Sequence, residues 1–146
     1  MRLEGRAEIR APRSAVWALL VDPERVAPCL PGSPRIESLE GGRFRAHAKV
    51  RVGFFSAPIV VDLEYVDLHE PNDATVRAHG TGPGSHVDVT ATMVLTDDAH
   101  GASVVDWTAE IEVAGLLASL GAAQVEETAG RVIADVLGCA RRKLEA

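Results

Sequence analysis

Aromatic side chains are scarce in this chain of 146 residues, which has three Phe, two Trp and one Tyr. The apolar fraction of 47% is therefore carried by Ala, Val and Leu, most of them small. Cysteine is scarcer still. Cys29 and Cys139 lie far apart, with no CxxC or Cys/His ligand spacing, which excludes a disulfide framework or zinc module read from spacing. They are expected as two buried free thiols in a reducing cytoplasm. Basic charge is in deficit, with fifteen Lys/Arg against twenty-one Asp/Glu and a net charge of −6. That argues against sequence-independent nucleic-acid binding, which rests on a basic footprint. No window approaches the ~20 apolar residues of a membrane span. The start, Met1-Arg2-Leu3-Glu4-Gly5-Arg6, lacks the apolar core of a secretory signal. The expectation is one soluble cytoplasmic domain over residues 1–146, large enough to bury roughly two-thirds of its unfolded surface.

Periodicity orders the elements. Residues 2–10 alternate, with Leu3, Gly5, Ala7 and Ile9 on one side and Arg2, Glu4, Arg6, Glu8 and Arg10 on the other. Pro12 suits a first helical turn whose apolar side is Val16, Trp17, Leu19 and Leu20; Asp22-Pro23 starts a second short helix, ending near Leu30. From residue 35 the period is two. Strands are expected over 35–40, which is irregular, and over 43–52, 58–68, 74–79, 85–96 and 103–114. Gly80-Thr81-Gly82-Pro83-Gly84 reads as a hairpin turn. It is no phosphate loop, because a strand and not a helix follows. Val125, Ala129, Val132, Ile133, Val136, Leu137, Ala140 and Leu144 then step by three and four, one face of a helix drawn from Leu116 to Leu144. A run of antiparallel strands with segregated helices is α+β. The expected architecture is a curved antiparallel seven-stranded sheet wrapped around a long C-terminal helix, with two short helices after the first strand.

Along the six regular strands, from Leu3 to Val113, the inward positions carry no charged residue, His, Ser, Thr, Asn or Gln. Their polar atoms are the Tyr65 hydroxyl and the Trp107 indole N–H. General acid–base catalysis needs a titratable group beside the reacting atom, so this interior is weak ground for an enzyme. Gln124, Thr128 or Cys29 could still intrude from helix or loop. Gly5, Ala7, Ala46, Ala48, Ala74, Ala78, Ala91 and Ala109 make the lining small, so the helix either packs closely or leaves a dry apolar cavity. The outward charges read as a solvated ladder of facing pairs. His79 and His86 share a side near a hairpin, without the third ligand that a zinc site uses. Phe54 and Phe55 sit between two strands, where they either plug the core or line a pocket mouth, partner surface or membrane-facing lip. Leu116, Leu117 and Leu120 pose the same alternatives.

The opening strand with Gly5, then Ala11-Pro12-Arg13 and Val16-Trp17, resembles the START/Bet v 1-like helix-grip (SRPBCC) superfamily. Trp17, Asp22-Pro23, Leu30-Pro31-Gly32, Val50-x-Val52-Gly53, Gly80-x-Gly82, Trp107 and Gly115-Leu116-x-x-x-Leu120-Gly121 together resemble the carbon monoxide dehydrogenase CoxG family over essentially the whole chain. The resemblance implies a helix-grip fold and a non-catalytic accessory role beside a molybdenum hydroxylase such as carbon monoxide dehydrogenase. That role is either recruiting the enzyme to the membrane or handling a lipophilic quinone. Many relatives carry a C-terminal extension ending in a membrane anchor; here the sequence stops at Ala146 after Arg141-Arg142-Lys143, so no stable anchor is expected. Ser33 stands where relatives often have Cys, so no thiol function is carried over to it.

The leading expectation is a non-catalytic protein that holds a lipophilic molecule, such as a quinone, between sheet and helix. Val61, Met93, Phe44, Ala48 and Val132 would line the cavity, and Tyr65 and Trp107 would orient the polar end. Phe54, Phe55, Leu116, Leu117 and Leu120 would form the entrance. No metal, cofactor or nucleic acid is expected, and at most peripheral contact with the inner membrane face. The rivals are a ligand-free module that recruits an oxidoreductase and a cyclase or hydrolase on apolar substrates. The latter requires Asp62, Glu64 or His79 turned inward.

Overall fold

Strict alternation of Arg/Glu with small apolar residues makes β1 (Arg2–Ile9), whose even-numbered residues are exposed while Ala7 and Ile9 are buried. The computed structural model describes the chain except residues 31, 33, 53, 54 and 146 and the side chains of Val50, Val52 and Phe55. After β1 come α1 (Arg13–Leu20), which buries Val16, Trp17 and Leu19, and α2 (Pro23–Val26). The Asp22 carboxylate caps α2 by accepting from the Glu24 N–H at 3.0 Å. A 3-10 turn, Ala27–Cys29, follows.

Six further strands complete the sheet: β2 (Arg35–Ser38), β3 (Arg43–Val52), β4 (Phe55–His69), β5 (Asp73–Gly82), β6 (Ser85–Asp97) and β7 (Ser103–Gly115). All neighbours are antiparallel, in the order β1-β7-β6-β5-β4-β3-β2. The chain ends in α3 (Leu116–Ser119) and α4 (Ala122–Leu144), the latter about 35 Å long at ~1.5 Å per residue. The expected antiparallel seven-stranded sheet, long C-terminal helix and short helices after β1 are therefore present.

The core has two centres. One gathers Ile9, Val16, Trp17, Leu19, Leu95, Val105 and Ala140 where α1 and the end of α4 meet the sheet. The other gathers Ala109, Ile111 and Val125, with Leu3, Val87, Val89 and Ile133 around them. Trp107 packs against both.

On the outer face the register aligns Glu37, Arg45, Asp62, His79, Asp88 and Glu112 in one row across β2 to β7. Arg45 Nε stands 2.7 Å from Asp62 Oδ1, and His79 Nδ1 stands 2.6 Å from Asp88 Oδ1. Cross-strand charge pairing of this kind holds register on a wet face. It also keeps Asp62, Glu64 and His79 on the side away from α4.

Four expectations need correction. Cys29 and Cys139 are joined in a disulfide, not two separate thiols, because the 3-10 turn and the last turns of α4 bring residues 110 apart in sequence to a Cα separation of 5.4 Å. The helix drawn from Leu116 is interrupted at Leu120-Gly121, where Gly121 takes a φ of +94°. Gly80 and Gly82 belong to β5, and only Pro83-Gly84 makes the turn. Gly80 is inward and crowded: a Cβ there would stand 2.7 Å from Val87 Cγ1 and 2.8 Å from Ile59 Cδ1. Finally, the inward rows are not free of serine, since Ser85 and Ser103 are buried at the starts of β6 and β7.

Candidate functional site

The inner face is unevenly covered. α4 runs beside β1, with lighter contact to β3, and its Val125, Ala129 and Ile133 belong to the second core centre. On β3, β4 and β5 the inward residues Phe44, Ala48, Val61, Leu63, Tyr65, Val76 and Ala78 are half-buried and belong to neither centre. Register places Leu63 between Phe44 and Ala78, Val61 between Ala46 and Gly80, and Tyr65 beside Val76. Val132, half-buried on α4, also lies outside both centres. Met93 lies between Ala74 and Trp107 and packs against the first centre. Of the expected lining residues, Phe44, Ala48, Val61, Tyr65, Met93 and Trp107 lie on the sheet and Val132 on α4. Phe44, Ala48, Val61, Tyr65 and Val132 stand apart from the packed centres, whereas Met93 and Trp107 are built into them.

The polar atoms on this side are accounted for one by one. Ser103 Oγ donates to the Ala11 carbonyl at 2.6 Å, and Ser85 Oγ accepts from the Leu117 N–H at 3.0 Å, so both serines tie helix-linked segments to strand ends. Tyr65 Oη donates to the Leu20 carbonyl at 3.1 Å. With its hydrogen committed, the hydroxyl presents only lone pairs to anything else. Burial, with the Asp22 charge adding to it, pushes this phenol up to about 12.

Trp107 lies flat on Gly5, where a Cβ would stand 2.6 Å from Cζ2 and 2.9 Å from Nε1. Its ring lines an open cleft of about 470 Å³ with Leu3, Ala123 and Gly130, rimmed by Glu4, Glu126 and Glu127.

Thr128 is different. Its Oγ1 is buried and, among the described residues, has no hydrogen-bond partner. It sits one turn before Val132 on α4, so the two share a helix face. Among the residues named from sequence as able to intrude, Gln124 is exposed and Cys29 is in the disulfide.

At the expected entrance, Leu116 is 55% exposed against Gly84, while Leu117 is buried and Leu120 half-buried. Phe55 opens β4 opposite Val52, its side chain outside the described residues, as is Phe54 altogether. On the outer face the His79 and His86 rings stack with centroids 6.0 Å apart. Among the described residues no three His, Cys, Asp or Glu side chains converge to hold a metal ion. Nor is any helix of the described residues long and apolar enough to cross a membrane.

Solved structures match this fold closely. A conserved protein from Geobacillus kaustophilus superposes with a TM-score of 0.92 at 19% identity, covering 99% of this chain and 95% of that one. The Zhui aromatase/cyclase from Streptomyces sp. R1128 gives 0.74 at 14% identity, covering 99% and 93%. A START superfamily protein from Mycobacterium smegmatis gives 0.74 at 12% identity, covering 99% and 97%. No curated protein matches the chain. The family model for carbon monoxide dehydrogenase CoxG matches residues 5–145. With that sequence match and a START-like fold, the chain belongs to the carbon monoxide dehydrogenase CoxG family.

Proposed function

We propose that this chain is a non-catalytic accessory protein that holds a lipophilic small molecule between α4 and the inner face of β3–β5. An isoprenoid quinone is the favoured class, and a molybdenum hydroxylase such as carbon monoxide dehydrogenase the favoured partner, by family membership. The observation that carries the reading is the Thr128 hydroxyl, buried without a partner on the helix face it shares with Val132. Buried polar atoms are almost always hydrogen-bonded, and an exception calls for a reason. A ligand carbonyl or hydroxyl lying against half-buried Phe44, Ala48, Val61 and Tyr65 supplies one. Thr128 and the Tyr65 lone pairs would then hold its polar end, with Phe54, Phe55, Leu116, Leu117 and Leu120 around the entrance. Asp62, Glu64 and His79 face outward, which supports binding over the aromatase/cyclase type of chemistry. In this reading the protein makes at most peripheral contact at the inner membrane face.

Native mass spectrometry after gentle purification, then titration with quinones and fatty acids, tests the proposal. Thr128→Val keeps the shape and removes the hydroxyl. It is expected to weaken ligand binding roughly five-fold, the equivalent of about 1 kcal/mol. The same substitution should raise the melting temperature of the empty protein, since an unsatisfied buried oxygen is gone. A protein that carries nothing and binds none of these molecules sinks the reading. The exposure of Leu116 favours a second reading, a ligand-free docking module. Pull-down from native lysate separates the two: substitution of Phe54 and Phe55 abolishes capture in the docking reading, and Ala48→Leu leaves it intact.

A further inference from the structure

β1 is an edge of the sheet, bonded to β7 on one side only. Met1 exchanges both of its backbone hydrogen bonds with Ile111, at 2.9 and 2.8 Å. In an antiparallel ladder such pairs alternate. Odd-numbered residues of β1 therefore direct N–H and C=O toward β7, and even-numbered ones direct theirs to the free edge. Two contacts at the far end agree with this: Arg141 Nε donates to the Glu8 carbonyl at 2.9 Å, and the Arg10 N–H donates to Glu145 Oε2 at 2.8 Å. Among the described residues no such contact covers the edge at Arg2, Glu4 and Arg6.

The same even-numbered residues place their side chains on the outer face, exposed, in the order Arg2, Glu4, Arg6, Glu8. Edges are commonly guarded by charges that repel an incoming strand. Strict alternation does the reverse for one particular strand, its own copy run antiparallel. We propose that β1 pairs with β1 of a second copy of this chain about a two-fold axis at Gly5. Arg2 then faces Glu8 of the second copy, and Glu4 faces Arg6, in both directions. The parity is right, because every residue in these pairs carries free edge groups, so each charge pair is also a hydrogen-bonded pair. Sliding the strands to the next register of the same parity sets Glu4 opposite Glu4 one way and Arg6 opposite Arg6 the other. Charge thus selects a single register.

The neighbouring structure suits this arrangement. Arg6 already lies 2.7 Å from Asp106 on β7, and Arg2 pairs with Glu110 in register. The outer-face rows then run on across the junction as Asp106, Arg6, Glu4 and as Glu110, Arg2, Glu8. On the inner face Gly5 meets Gly5, at the non-hydrogen-bonded position where the strands come closest, about 4.5 Å between Cα atoms. Neither glycine brings a side chain to that approach. Arg141 gives up the Glu8 carbonyl, which accepts instead from the Arg2 N–H of the second copy.

Sedimentation velocity of the full chain over a wide concentration range tests this independently of any ligand. The expected result is a monomer–dimer equilibrium that shifts toward monomer as salt rises. Glu4→Arg and Arg6→Glu each weaken self-association about tenfold, since each brings like charges together twice. Mixing the two variants restores a heterodimer, because the new arginine of one faces the new glutamate of the other. Far-UV circular dichroism confirms that each variant is folded. A wild-type protein that stays monomeric throughout overturns the proposal. So does a dimer indifferent to both substitutions, or folded variants whose mixture does not reassociate.

Discussion

Tyr65 is the only tyrosine in the chain, so tyrosinate absorbance reports it alone. With its phenol pushed up to about 12 by burial, the neutral form belongs to the folded state. Its contribution to stability is complete below the unfolded value of about 10 and is lost as pH rises through the folded value. A spectrophotometric titration should give a midpoint near 12 in buffer and about 10 in denaturant. A midpoint of 10 in the folded protein would place the ring in water. Gly5 makes a second residue-scale prediction. A Cβ there meets the rigid indole of Trp107, whereas at Gly80 it meets the movable ends of Val87 and Ile59. Gly5→Ala should therefore cost about 1–3 kcal/mol in thermal or urea unfolding. Gly80→Ala should cost less. Parity in the sequence put Gly5 on the inner face but left Gly80 in a turn, and only the packed structure gives each its neighbour.

At the scale of elements, α4 is held much more firmly at one end than the other. Near its C-terminus Cys139 is bonded to Cys29, Arg141 donates to the Glu8 carbonyl, and Glu145 accepts from the Arg10 N–H. Near its N-terminus Gly121 offers no side-chain cap, and an open cleft beside Trp107 lies along Leu3, Ala123 and Gly130. The cross-link spans 110 residues, so its loss releases a large loop in the unfolded chain. Replacing both cysteines with alanine should lower unfolding free energy by about 2–4 kcal/mol. Adding reductant to the native protein should reproduce the change, while the double variant should not respond to reductant at all. The helix itself was legible from its three-and-four spacing. Its break at Gly121 and its cross-link were not, because a helical period marks a buried face without saying what lies opposite.

Across the whole molecule the sheet behaves as one charge-matched surface. The Arg45 guanidinium, bonded to Asp62, holds that carboxyl below the ordinary carboxylate range, against a smaller opposing effect of burial. A carboxyl depressed on folding contributes stability above its unfolded value, and that contribution is lost as pH falls through the folded value. Asp62→Asn should make unfolding less dependent on pH in the acid range, read as the change in urea midpoint between neutral and acid buffer. Equal pH dependence in both proteins would remove Asp62 from the account. The sequence by itself determined the run of strands, the two faces of each and the amphipathic helix, because alternation and three-and-four spacing are local consequences of burying apolar surface. The tertiary structure alone decided the Cys29–Cys139 bond, the commitment of Tyr65 to the Leu20 carbonyl and the stranding of the Thr128 hydroxyl. Each depends on the distance between elements far apart in the chain, which no local period encodes.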